Sequence, residues 1–196
     1  MMKSNARRVK IGLKRSKIGA NISRIGNEMA IREIITIPNP ILRRKAHKVT
    51  DFDKDFQTLV ADMIDTLHEA PGVGLAAPQI AVSSRLIVVE YNIDEDDEES
   101  PKKLYVLANP EIVEASEEMV SGIEGCLSVT GLVGEVERHQ SVTVKGQNRL
   151  GKPVKIKASG WLARIFQHEI DHIDGIVFTD RTDKVWQPRE DEVSID

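Results

Sequence analysis

His168-Glu169-Ile170-Asp171-His172 lies near the end of the chain, and its spacing admits few structures. On a helix, two histidines four apart differ by about 40° around the axis and about 6 Å along it. Both imidazoles can then reach one ion from one face. Glu169 falls about 100° from His168 and about 60° from His172, beside such an ion without being an obvious ligand. That position suits a base acting on a water molecule. The neighbours Leu162, Ile165, Phe166 and Ile173 are apolar. The pair therefore reads as half-buried, and half-buried polar groups need partners.

A catalytic ion of this kind takes three protein ligands and an open position. Cys126, the chain's single cysteine, is the candidate third. It stands in Glu124-Gly125-Cys126-Leu127-Ser128, a polar, glycine-containing turn between strand-like segments. A lone cysteine is more often a small buried hydrophobe. Its uniqueness, its turn and two helical histidines lacking a partner favour the ligand reading. A soft thiolate with two imidazoles suits Fe(II), zinc, nickel or cobalt. A third segment, Gly72-Val73-Gly74-Leu75-Ala76-Ala77-Pro78-Gln79, combines glycines that permit close backbone approach with an amide. Gln79 can donate to a developing oxyanion.

The chain has 196 residues, 40% of them hydrophobic, which excludes a wholly disordered chain and leaves room for one domain with a core. It contains no apolar run of about 18 residues, so no membrane-spanning helix is expected. One cysteine excludes an intramolecular disulfide framework. Residues 1–28 hold eight lysines and arginines against the single acid Glu28, while the whole chain carries −4. A basic arm thus precedes an acidic body. The arm has the composition of a transit peptide or of a tail that touches nucleic acid. The favoured reading is a disordered extension, with Met29 as an alternative start.

From residue 29 the text reads as one packed domain, 29–196. Phe52, Phe56, Leu59, Val60, Met63, Ile64 and Leu67 form an apolar stripe, predicting a helix capped by Asp51 or Asp53 and ended by Pro71-Gly72. Strands are expected at 85–91, 104–108, 111–120, 141–145 and 154–158, with Gly151-Lys152 turning a late hairpin. Six consecutive acids at 94–99 read as a solvated loop tip; they lack the alternation and glycine of a calcium loop. Ser159 is the expected N-cap of the motif helix and Gly175 its C′ glycine.

The three segments, in this order, resemble peptide deformylase. The matching residues are Gly72-x-Gly74-Leu75-Ala76-Ala77-x-Gln79, then Glu124-Gly125-Cys126-Leu127-Ser128, then Gln167-His168-Glu169-x-Asp171-His172. The likeness covers residues 29 to about 183. It implies an α+β fold, with antiparallel or mixed strands wrapped around the central helix that carries the H-E-x-x-H motif. It implies a metal-dependent hydrolase that removes the formyl group from the N-terminal methionine of newly made proteins, releasing formate. Carried over residue by residue, Cys126, His168 and His172 bind one divalent ion, with Fe(II) expected in the cell and zinc, nickel or cobalt as alternatives. Glu169 is the general base and acid, and Gln79 and the Leu127 N–H stabilise the oxyanion. Gly74 binds substrate backbone. Val73, Trp161, Arg164, Ile165 and part of Glu124 border the methionine pocket, although Trp161 reads equally well as core.

Arg138 is expected to pair with a buried acid, Glu124 or Asp171, and Asp171 to anchor rather than react. Thr130 stands where the family commonly has proline, which loosens the expected turn. The tail after Trp186 is acid-rich, so the ribosome docking that some members make through a basic C-terminal extension does not carry over. The arm 1–28 is the candidate for a transient ribosome contact instead. The expected partners are formyl-methionyl nascent peptides, with no DNA and no membrane, and a monomer. The expected location is the bacterial cytoplasm, or an organelle if 1–28 is a transit peptide. Two other readings stay open at this stage: a metallopeptidase acting on internal peptide bonds, and an inactive binding protein on the same scaffold.

Overall fold

The computed structural model describes residues 30–94, 97 and 99–189, together with the backbone of 9–10 and 193–194. The rest of the basic arm, and with it the expectation of disorder there, lies outside these residues. β1 (Val9–Lys10) and β10 (Val193–Ser194) form a short parallel pair.

α1 (Lys54–Glu69) begins where expected: the Asp53 side chain accepts the Phe56 N–H, satisfying one of the orphan donors of the first turn. β2 (Gly74–Ala76) follows, then a 3-10 turn (Ala77–Ile80), β3 (Leu86–Asn92) and β4 (Lys102–Ala115). β5 (Met119–Cys126) and β6 (Val129–His139) form a hairpin around Leu127-Ser128, and β7 (Ser141–Gln147) and β8 (Pro153–Ser159) form another. α2 (Gly160–Ile173) carries the histidine motif, and β9 (Val185–Trp186) pairs on β6. The sheets run β2-β3-β4-β7-β8 and β5-β6-β9, every pair antiparallel. This is the α+β arrangement expected around the motif helix.

β3 shows why the sheet is placed as it is. Its run Leu86-Ile87-Val88-Val89 is apolar on both faces, the pattern of a strand covered on both sides. Leu86 and Val88 pack with Phe56, Val60, Met63 and Leu67 of α1. Ile87 and Val89 pack with Ala163, Phe166, Ile170 and Ile173 of α2. The five-stranded sheet therefore lies between the two helices. Phe166 and Met63 are fully buried; each such side chain contributes roughly 1.5–3 kcal/mol by leaving water.

Two strand expectations change. Residues 104–108 and 111–120 were expected as separate strands, yet β4 runs unbroken through Pro110 and stops at Ala115, and Met119 and Val120 already belong to β5. Asn109 takes a left-handed backbone (φ 52), and the register shifts between Ala108 and Glu111. A bulge absorbs the proline, while the Asn109 side chain bonds both Val49 backbone groups and Gln147. β6 was not anticipated. Gly131, Gly134, Glu135 and Glu137 hide its alternation, although Val129, Val133 and Val136 are buried.

α2 starts directly from β8. Ser159 occupies the N-cap position but makes no side-chain cap bond; instead the Gly160 N–H reaches Gln140 O at 3.0 Å. Gly175 sits one residue past the cap with φ 81, the left-handed C′ position that glycine fills without strain. Among the described residues no helix is long and apolar enough to cross a membrane.

Candidate metal centre

Three elements supply the site. α2 presents His168, Glu169 and His172, β5 ends on Cys126, and the 3-10 turn after β2 presents Gln79. A register shift between Gly125 and Cys126 breaks the β5–β6 ladder at the cysteine. Such a bulge re-aims a side chain. Cys126 Sγ lies 3.2 Å from His172 Nε2, and His172 Nε2 lies 3.2 Å from His168 Nε2. The three donor atoms are all within 4.8 Å of one another.

His168 and Cys126 are held from behind, whereas His172 Nδ1 is buried without a hydrogen-bond partner among the described residues. His168 Nδ1 faces Glu124 Oε2 at 3.0 Å. An ionised carboxylate only accepts, so Nδ1 carries a proton and Nε2 is the nitrogen turned toward the centre. Burial opposes a charge on this ring, yet its bonds to Cys126 and Glu124 raise its pKa well above the ordinary histidine range. Burial, then the neighbouring His168, holds His172 neutral. The cysteine sulfur receives the Ser128 N–H at 3.4 Å and the Gln79 amide at 3.7 Å. The Gln79 amide has a defined sense, because its Oε1 accepts the Ala76 N–H at 2.8 Å and turns the NH₂ toward the cysteine. Three electron-pair donors facing one point, one of them sulfur, match the needs of a soft divalent cation.

Glu169 is buried beside this group. Burial is the main cause that pushes its carboxyl up to about 7, with His168 pulling the other way. Its Oε2 is a buried oxygen without a hydrogen-bond partner among the described residues. A Cβ on Gly74 would stand 2.4 Å from Glu169 Oε1. Only a glycine at 74 lets β2 lie directly against the carboxylate.

Glu124 is a hub. Arg138 donates to both its oxygens at 2.9 Å, Arg164 donates to Oε1 at 2.8 Å, and His168 takes Oε2. Burial opposes its charge, yet the Arg138 and His168 bonds outweigh that and hold the carboxyl far below the usual range. Arg138 also reaches Asp171 Oδ2 at 2.6 Å, so it pairs with both acids that the sequence offered. Asp171 additionally binds Arg181 and is an anchor, as expected. Arg181 was missed, since nothing in its surroundings marks it. Gln167 ties α2 to the end of β6: its amide spans the backbone N–H and C=O of His139.

The remaining site candidates lie nearby. Leu127 follows the cysteine in the hairpin turn, its side chain 3.3 Å from where a Gly72 Cβ would be. Ile165 is buried and Val73 packs against the same cluster. Trp161 remains 38% exposed, with its ring 5.5 Å from the Arg164 guanidinium carbon. Both Arg164 and Glu124 are almost fully buried.

The "Polypeptide deformylase" family model matches residues 31–187. A peptide deformylase of Symbiobacterium thermophilum is 53% identical over 153 residues, covering 78% of this chain and 67% of that protein. One of Natranaerobius thermophilus is 49% identical over 162 residues, covering 83% and 99%. Among solved structures, the Met-Ala-Ser-bound class I type b peptide deformylase of Acinetobacter baumannii superposes with a TM-score of 0.73 at 36% identity, covering 79% of this chain and all of that one.

Proposed function

The chain belongs to the polypeptide deformylase family, and on that premise we propose how its own residues carry out the reaction. The protein is a metal-dependent hydrolase that removes the formyl group from the N-terminal methionine of newly made polypeptides and releases formate. In our reading Cys126, His168 and His172 hold one divalent ion, Fe(II) in the cell, with zinc, nickel and cobalt also compatible with the donor set. The ion supplies Lewis acidity, acidifying a water and polarising the formyl carbonyl.

Everything else falls to the protein. Glu169 accepts the proton of the attacking water on its partnerless Oε2 and delivers it to the amine nitrogen as the C–N bond breaks. A carboxyl with a pKa near neutrality suits both halves of that task. Gln79 Nε2 and the Leu127 N–H donate to the carbonyl oxygen as negative charge grows there. Gly74 offers backbone to the peptide. Val73, Trp161 and Ile165, with the carbon stems of Glu124 and Arg164, border the methionine side chain. The Met-Ala-Ser peptide bound to the Acinetobacter relative supports a peptide of this kind as the ligand.

The observation that carries the reading is the convergence of Cys126 Sγ with two imidazole Nε2 atoms beside a buried, partnerless carboxylate oxygen. The test is formate release from formyl-Met-Ala-Ser, with metal content measured on the same anaerobic sample. Rapid release at about one ion per chain, with acetyl-Met-Ala-Ser untouched, is expected. Metal retained at full stoichiometry in Cys126→Ala would remove the cysteine from the ligand set. We further propose a cytoplasmic, monomeric enzyme whose domain is 29–196. Its basic arm 1–28 would touch ribosomal RNA, supported by the arm's charge. Unchanged low-salt co-sedimentation with ribosomes after deleting 1–28 sinks that last idea.

A further inference from the structure

Arg164 stands on α2 between the buried residues Ala163 and Ile165, and its own side chain is only 8% exposed. A guanidinium in such a place needs a counter-charge and acceptors for its donors. Nη1 donates to Glu124 Oε1 and to Val136 O, both at 2.8 Å, and Nη2 donates to Val120 O at 2.5 Å.

Gly122 makes the space. A Cβ there would lie 2.8 Å from both the guanidinium carbon and Nη2 of Arg164. Gly122 is not among the glycines with positive φ, so its conformation does not explain it. Close approach does: β5 passes the guanidinium bare.

Gly122 and Glu124 are two apart on β5, hence on one face of the strand. Arg164 and His168 are four apart on α2, hence one above the other. Glu124 joins the two pairs. Its Oε1 takes Arg164 Nη1 and Arg138 Nε, and its Oε2 takes Arg138 Nη2 and His168 Nδ1. Two guanidinium groups thus fix the position of the carboxylate, and the carboxylate fixes the imidazole.

We propose that Arg164, seated by Gly122, is a positioning residue for metal binding. It locks the Glu124 carboxylate that orients His168, and so tunes affinity for the ion and the field around it. This role runs through Glu124 and His168, whatever the Arg164 methylenes add to the pocket wall. It rests on the reading of Cys126, His168 and His172 as ligands.

Cobalt(II) tests it, because affinity and visible d–d bands both report on the ligands without turnover. Affinity is read by competition with a chelator. Arg164→Met keeps the methylenes and removes the clamp. It should weaken cobalt binding about 10- to 100-fold and shift the d–d bands, the usual scale for losing an outer-shell partner. Gly122→Ala should act in the same direction by displacing the guanidinium. The double variant should be no worse than Arg164→Met, since the clash disappears with the guanidinium. Arg164→Lys should recover part of the affinity. Wild-type affinity and bands in Arg164→Met overturn the inference, as do full and additive effects of the two single changes. If Arg164→Met does not fold, unaltered cobalt affinity in Gly122→Ala overturns it. Wild-type protein that takes up no cobalt refutes the ligand set itself, and the inference with it.

Discussion

Along one side of α2, Ala163, Phe166, Ile170 and Ile173 press into the five-stranded sheet, against side chains of β2, β3, β4, β7 and β8. Along another, Arg164, His168 and Asp171 meet the β5–β6 hairpin through Glu124 and Arg138. A third stripe, Ile165, Glu169 and His172, runs between them at the helical period. The apolar side is held by contacts that are weak singly and numerous together, so neighbours can partly close over a lost methyl group. The ionic side has few contacts, each buried and each shared. Glu124 satisfies two arginines and a histidine, and Arg138 satisfies two acids. Removing one member strands the others in a medium that does not solvate them. One helix therefore carries a tolerant face and a brittle one, and the chemistry sits along the edge of the brittle one.

The largest effect expected on this contrast separates chemistry from structure within the site. Glu169→Ala should lower turnover of formyl-Met-Ala-Ser by about 10²- to 10⁴-fold, the usual worth of a positioned acid–base group. The same sample should keep its metal, since Glu169 is not in the donor set. Loss of the ion with the carboxylate would make Glu169 part of the brittle network rather than a separate reactive group. Activity near wild type would end its role as base.

Next comes the network itself. Arg138→Met leaves Glu124 with fewer partners and strips Asp171 of one of its two arginines. Breaking a buried pair by deleting one side costs about 3–5 kcal/mol. Urea unfolding of the metal-loaded protein should show a loss of that size with little change in slope. A loss below about 1 kcal/mol would mean that water reaches the two acids and that this face is as tolerant as the other.

These two faces were not equally legible. The 3.6-residue period of α1, the β-branched run of β3 and the Gly175 cap could be read because each depends on neighbours in the chain. The metal candidates Cys126, His168 and His172 could be read because chemistry restricts which residues bind an ion and how a helix must space them. Arg138 could be placed against either of two acids, but not against both at once. The pairing of Arg164 with Gly122 was out of reach. It joins positions far apart in the chain, and a glycine that yields room leaves no mark on local periodicity. β6 was missed for a related reason: Gly134 serves a contact, since a Cβ there would come within 2.9 Å of the Phe178 ring, and Gly131 serves a left-handed backbone (φ 74). They read locally as breaks. Asn109 adopted a backbone that lets one strand pass a proline, and the sequence alone favoured two strands.

The smallest effect expected is on the tolerant face. Ile170 lies two residues from both His168 and His172, closer in sequence to the ligands than Arg138 is, yet it packs into the carbon cluster beneath the sheet. Ile170→Val removes one methyl group from that cluster and should cost about 0.5–1.5 kcal/mol. Metal stoichiometry and formate release should be unchanged, because none of the polar contacts around Glu124 runs through it. Proximity along the chain would predict the opposite. If Ile170→Val weakens metal binding while Arg138→Met does not, the ligands are held by the sheet-side packing and the division between the two faces fails. If the two variants differ in the expected sense, control of the ion follows the hydrogen bonds across to β5 and β6 rather than the covalent backbone of the helix that bears the histidines.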